Sequence, residues 1–248
     1  MSGETATDRS VLRISGADAH DFLKGLVTRD AEPSELVYSA LLTPQGKYLA
    51  DFFLLDRGDD ILIDVKSDMV PGLAQRLMMY RLRADVQIEE ANMPVTRGTG
   101  DMPEDAFVDP RHPDLGWRAY GTTGAVPAID WDALRVAHSI PETGIELVPN
   151  ETYILEVGFD RLGGVDHRKG CYVGQEVTAR MKHKTELRKG LATVAVSGTA
   201  PVGTPINAGE KPVGTLYTQA NGAGLAYLRF DRAKGMMRAG DAAITLPD

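Results

Sequence analysis

Three strand-like runs lie close together in this chain: Leu36 to Thr43, Tyr48 to Leu55 and Ile61 to Val65. Only Pro44-Gln45-Gly46 and Gly58-Asp59-Asp60 separate them, and both are short turn signals, so the runs predict an antiparallel meander. Before it, Val11 to Ile14 reads as a strand. Ser15 reads as a helix N-cap with Asp18 three residues on. Ala19, Phe22, Leu23, Leu26 and Val27 follow at helical spacing as one apolar stripe. After the meander, Ser67 to about Ala84 predicts a second helix with Leu73, Leu77 and Met78 on one side, and Val86 to Ile88 another strand.

A helix, a meander, then a helix and a strand is an α+β order, not a run of alternating βαβ units. Residues 90–105 are rich in Gly, Pro and Thr and predict a loop, a candidate break between two subdomains. Asp130 is placed to cap a helix over Ala133 to His138, which Pro141 and Gly144 end. After Lys189-Gly190 the strands are short and punctuated by glycine and proline: Leu191 to Val196, Val213 to Tyr217, Leu225 to Phe230 and Ala243 to Leu246. They predict a small C-terminal barrel or sandwich. The expected domains are therefore 1–187 and 188–248.

The 248 residues suffice for a substantial core. A formal net charge of −8 argues against direct nucleic-acid binding, which favours a basic surface. No apolar run approaches the roughly 20 residues that span a bilayer. The start, Met1 to Arg9, is polar and lacks the pattern of a targeting segment, so a cytoplasmic location and no membrane partner are expected. One cysteine excludes an internal disulfide and the usual four-thiolate cluster site, and no resident metal is expected.

That cysteine, Cys171, sits in Lys169-Gly170-Cys171-Tyr172-Val173-Gly174-Gln175-Glu176. Arg168 and Lys169 precede it and a helix is expected after it, through Val177 to Met181. Positive charge and a helix N-terminus both favour thiolate over thiol. The competing reading is an inert, buried cysteine. His167 could serve the thiol as a proton partner or simply fill a packing position. Arg168, Lys169, Arg180, Lys182, Lys184, Arg188 and Lys189 form the most basic stretch, either an anion site or a solvated face.

The octapeptide resembles the K-G-C-Y-x-G-Q-E signature of the YgfZ family, folate-binding relatives of the glycine-cleavage aminomethyltransferase. Leu162 to Asp166 and Val177 to Arg180 flank it as in that family. Gly16 to Ala19, Phe22 to Leu26, Thr28-Arg29-Asp30, Leu42 to Lys47, Ala50-Asp51-Phe52, Tyr80 to Val86, Asp109-Pro110-Arg111 and Gly224 to Arg229 match in order. The resemblance implies an aminomethyltransferase-like α+β core with antiparallel sheets and helices plus a small C-terminal β-barrel. It also implies a tetrahydrofolate or other folate guest held near Asp51. Read from the residues, Tyr80 could stack on a flat ring and Arg81 and Arg83 could take carboxylates, or the three could equally form the polar face of the second helix. Gln175, Glu176 and Arg180 complete the expected contacts, and Lys169 and Arg180 would keep Cys171 ionised.

Three departures stand out. Ala50-Asp51 replaces the two adjacent acids of the aminomethyltransferase, and Ala137 stands where that enzyme carries a glutamate. Cys171 itself replaces an aspartate, so a nucleophile and soft metal ligand stands where the enzyme offers only oxygen. The resemblance therefore implies a monomeric protein that supports iron–sulfur cluster assembly or maintenance, including clusters of tRNA-modifying enzymes. Its partners would be iron–sulfur carrier or client proteins, and Cys171 a catalytic thiol or transient cluster ligand. A tetrahydrofolate-dependent one-carbon transferase, with Asp51 as the key group, and a non-catalytic adaptor are the alternatives, and turnover is left open.

Overall fold

A computed structural model describes residues 3–183 and 187–247. Lys184 of the basic stretch therefore lies outside the described residues. The strands are β1 (Glu4–Thr5), β2 (Arg9–Ser15), β3 (Leu36–Leu42), β4 (Tyr48–Asp56), β5 (Asp60–Lys66), β6 (Gln87–Glu90), β7 (Val95–Gly98), β8 (Phe107–Val108) and β9 (Trp117–Tyr120), followed by β10 (Lys189–Ser197), β11 (Thr204–Ala208), β12 (Lys211–Ala220), β13 (Ala223–Arg229), β14 (Met236–Ala239) and β15 (Ala242–Thr245). The α-helices are α1 (Ala19–Lys24), α2 (Val70–Arg81), α3 (Trp131–Ala137) and α4 (Gln175–Lys182). The chain divides into two compact units, 1–129 with 160–176, and 130–159 with 177–248.

In the first unit the meander forms as expected, within a five-stranded antiparallel sheet of order β3-β4-β5-β2-β6. Period-two alternation splits its side chains between two faces. Ala50, Phe52 and Leu54 of β4 join Ile61, Ile63 and Val65 of β5 in a core closed by Leu23 and Val27 near α1 and Leu73 and Leu77 of α2. Tyr38, Asp51, Phe53 and Asp64 occupy the alternate positions, with Tyr38, Phe53 and Asp64 in one cross-strand row. A second sheet, β1-β7-β9-β8, lies in the same unit.

The two sheets are tied by a buried ionic network. Arg9 Nε of β2 donates to Asp64 Oδ1 of β5 at 2.7 Å, and Arg118 Nη1 of β9 to Asp64 Oδ2 at 3.0 Å. Arg118 Nε and Arg111 Nη2 both donate to Asp109 Oδ2. The Arg118 guanidinium lies 4.0 Å from the Phe53 ring centre. Burial alone would push the Asp109 carboxyl up, but the Arg111 and Arg118 guanidiniums outweigh it and hold it at about 2.

Several sequence expectations change here. The second sheet was not expected, and Val95–Gly98 forms its β7 inside the supposed 90–105 loop. Ser15 ends β2 and does not cap α1; Asp18 occupies the N-cap without a side-chain cap bond, and its carboxylate accepts from Asp85 N at 2.8 Å. Met78 is exposed and does not join Leu73 and Leu77 inside.

In the second unit, β10-β13-β12-β11-β14-β15 close into a barrel filled by Val194, Ile206, Leu216, Leu228, Met237 and Ile244. Closure removes the exposed strand edges that an open sheet would carry. The barrel starts at Lys189, where the sequence changes character, and the same unit also takes in 130–159. Asp130 Oδ1 accepts from Ala133 N at 2.9 Å, the expected cap of α3. The buried Arg135 of α3 donates to Glu146 Oε2 and to Thr218 Oγ1 of β12.

Candidate functional site

The octapeptide forms an irregular loop that ends in α4, and a short N-terminal segment holds it from both sides. Thr28 Oγ1 donates to Gly164 O at 2.6 Å, Asp166 N to Thr28 O at 3.0 Å, and Val173 N to Gly25 O at 3.3 Å. Lys169 Nζ donates to Lys24 O (3.0 Å), Val27 O (2.6 Å) and Asp30 Oδ1 (2.5 Å). Tyr172 is buried, and Val173 packs against the core between the five-stranded sheet and its helices. Gly174 has φ +85°, and a Cβ there would stand 2.7 Å from Thr43 O and 3.0 Å from Leu42 Cβ. Only glycine fits that approach to the β3–β4 turn. The loop is thus stitched to residues more than 120 positions away.

What the stitching leaves outside is the thiol. Cys171 is exposed, between the anchored Lys169 and the buried Tyr172, four residues before α4. Gly170 beside it has open space where a side chain would go. Gln175 Nε2 donates to Gly170 O at 3.2 Å and so bridges the loop to the start of α4. Glu176 and Arg180 are exposed on α4, the former in its first turn. The inert, buried reading of the cysteine does not hold.

The role expected of Lys169 changes. An ammonium has three donors, and all three are committed to the 24–30 segment, so none is left for the sulfur. Burial pushes the Lys169 pKa down, and the Asp30 carboxylate works against that shift. Lys169 positions the backbone of the thiol loop. His167, the other suggested partner, pairs with Asp160 Oδ1 at 2.7 Å.

Asp51 stands elsewhere, on the sheet face away from α1 and α2. It is 6 % exposed, and its two oxygens accept from Tyr38 Oη (2.9 Å) and Tyr48 Oη (2.8 Å). Burial first, then the neighbouring Asp51 charge, pushes the Tyr38 hydroxyl well above its ordinary value, so it stays a donor. Tyr80 packs against the core on the other face, and Arg81 Nη1 donates to Val86 O at 3.3 Å at the end of α2. Three of the residues expected around a folate therefore divide between two faces: Asp51 is separated from Tyr80 and Arg81 by the sheet itself. Sequence reasoning misses Tyr38 and Tyr48 as partners of Asp51, though the Tyr48-x-x-Asp51 spacing is a local signal. Thr28 and Asp30 fall in a segment that matches the family pattern, but nothing near them in the sequence points to the thiol loop as their partner.

Residues 188–248 match the family model described as the CAF17 C-terminal beta-barrel domain. The chain is 30 % identical over 278 positions to the iron-sulfur cluster assembly factor IBA57, mitochondrial, of Mus musculus, covering 92 % of this chain and 77 % of that protein. The human protein of the same name matches at 30 % over 275 positions with the same coverage. An IBA57 homolog of Mycosarcoma maydis matches at 27 %, and the chain spans 57 % of its length. The glycine cleavage system aminomethyltransferase T of Bartonella henselae superposes with a TM-score of 0.79 over 99 % of this chain and 84 % of that one. At 11 % identity this shows the fold alone, and it agrees with the expected aminomethyltransferase-like core and barrel. The expected cytoplasmic location is overturned, since these three assembly-factor relatives are all named as mitochondrial. The resemblance to YgfZ gives way to a neighbouring assignment, for the 30 % identity across most of both chains places this protein in the IBA57 family of iron–sulfur cluster assembly factors.

Proposed function

We propose that this protein supports assembly or maintenance of iron–sulfur clusters by offering Cys171 as a transient ligand to a cluster passing between partner proteins. The observation that carries this reading is an exposed thiol on a tightly anchored loop. In the ligation step the thiol releases its proton to solvent and the sulfur donates an electron pair to iron; no electron is transferred. A single cysteine fills one coordination position, so the others fall to thiolates of a carrier or client. Clients include the tRNA-modifying enzymes that the YgfZ resemblance implies. The test is the activity of a cluster-dependent enzyme in cells carrying wild type, Cys171→Ser or Asp51→Ala. Cys171→Ser is expected to reduce activity to the level of cells lacking the protein, and full activity with it would end the proposal.

A second reading, folate binding with or without one-carbon transfer, is favoured by Asp51. A buried carboxylate flanked by two phenolic hydroxyls offers hydrogen-bonding partners of the kind an aminopyrimidine edge uses. When bound, a reduced folate would supply a carrier for one-carbon units. Asp51 stands on this face with Tyr38 and Tyr48 beside it, whereas Tyr80 packs on the other. Calorimetry with tetrahydrofolate tests it: binding should fall at least about tenfold in Asp51→Asn, and an unchanged affinity would refute the assignment.

A further inference from the structure

The end of α2 is built at variance with ordinary surface chemistry. Met78, Met79 and Leu82 are 56 %, 64 % and 86 % exposed. Three of the eight large apolar side chains exposed among the described residues thus fall within five positions, whereas the others are scattered. Leu82 also has φ +45°, a backbone region that favours glycine. The other non-glycine residues at positive φ among the described residues are Ser34, Asn92, Ser139, Asn150 and Asn221, all small and polar. Leu82 combines strain with exposure, so neither backbone preference nor core packing accounts for leucine there.

Arginines frame the patch. Arg76 and Met79 are three apart on α2 and share a face, and Arg83 follows Leu82 directly. Neither Arg76 nor Arg83 makes an ion pair among the described residues, in a chain with a formal net charge of −8. Arg81 holds the turn by its bond to Val86 O. We infer that Met78, Met79 and Leu82, with Arg76 and Arg83, form a docking surface for an acidic amphipathic helix of a partner protein. Methionines suit such a surface because they adapt to the incoming side chains, while the arginines read carboxylates at its rim. A narrow helix can meet the patch alone. A flat anionic membrane would also meet the exposed Asp85, three residues after Leu82, and be repelled.

The inference goes beyond the role of Cys171 and is tested apart from it. The probe is a fluorescein-labelled synthetic peptide of about four helical turns, with leucines on one face and glutamates on the other, titrated against the whole chain by anisotropy. Saturable binding is expected, weakened at least about tenfold by Met79→Ser and by Arg83→Glu, and by added salt. Leu82→Gly should raise the melting temperature while weakening the peptide, because glycine relieves the strained backbone and removes the contact. Absence of saturation, or binding indifferent to both Met79→Ser and Arg83→Glu, would overturn the inference. So would capture by phosphatidylserine vesicles in place of the peptide, self-association that the substitutions abolish, or a Leu82→Gly variant that melts lower than wild type.

Discussion

Two polar networks stitch distant segments of the first unit together, and they end differently. In the network of Arg9, Asp64, Arg118, Asp109 and Arg111, every side chain is at most 9 % exposed and each charge faces an opposite one. The network around Lys169 is as well satisfied at its root, but it terminates in an exposed thiol and an unobstructed glycine. The first network is closed on itself and joins two sheets. The second spends a buried ammonium, a glycine at a position no other residue fits and several backbone bonds to hold an exposed side chain. Such a departure from what folding alone asks for is where function is expected.

The contrast breaks first at Asp64. If the closed network is the tie between the sheets, Asp64→Asn leaves Arg9 and Arg118 without their shared carboxylate in a buried place. The expected loss is about 3–5 kcal/mol, measured by urea denaturation. A loss below about 1 kcal/mol would mean that solvent reaches the network. Gly174→Ala comes next. It combines a positive φ with a Cβ 2.7 Å from the Thr43 carbonyl, and should cost about 2–4 kcal/mol while loosening the thiol loop. Limited proteolysis would show cleavage within 163–175 in that variant before it does in wild type.

Much of this was legible in the chain and some was not, for identifiable reasons. The meander could be read because three long apolar runs and two turns leave little choice of pairing. β7 was hidden because Val95 to Gly98 is short, sits between Pro94 and Gly100, and owes its strand state to partners at Glu4–Thr5 and Trp117–Tyr120. Met78 was misplaced because one helical turn offers two neighbouring apolar residues, and only packing decides which faces inward. The thiol was legible as a local motif. The work of Lys169 was not, since its three acceptors come from positions 24, 27 and 30 and nothing near 169 announces them.

The closed network also sets an acid limit. The folded Asp109 carboxyl lies at about 2, below the usual unfolded value of about 3.9. A depressed carboxyl contributes its full stability above the unfolded value and loses it as pH falls through the folded one. Stability should therefore drop by about 2 kcal/mol between about pH 4 and pH 2 on account of this group. Asp109→Asn should flatten that part of the curve, and an unchanged slope would show that Asp109 is not held down by its arginines.

The smallest effect sharpens the comparison most. Gly170 stands beside the thiol and lacks a positive φ, and a side-chain carbon added there would meet nothing within 4 Å. Nothing inside the fold requires glycine there, unlike Gly174 four residues later. Replacement by alanine restricts the unfolded chain without straining the folded one, so Gly170→Ala should gain about 0.4–1 kcal/mol. If a partner must come close to the backbone to reach the sulfur of Cys171, the same substitution lowers the cluster-enzyme readout, and Gly170→Leu lowers it further at unchanged or higher melting temperature. Full function in Gly170→Leu would mean that nothing approaches from that side, and the open end of the second network would then be surface like any other.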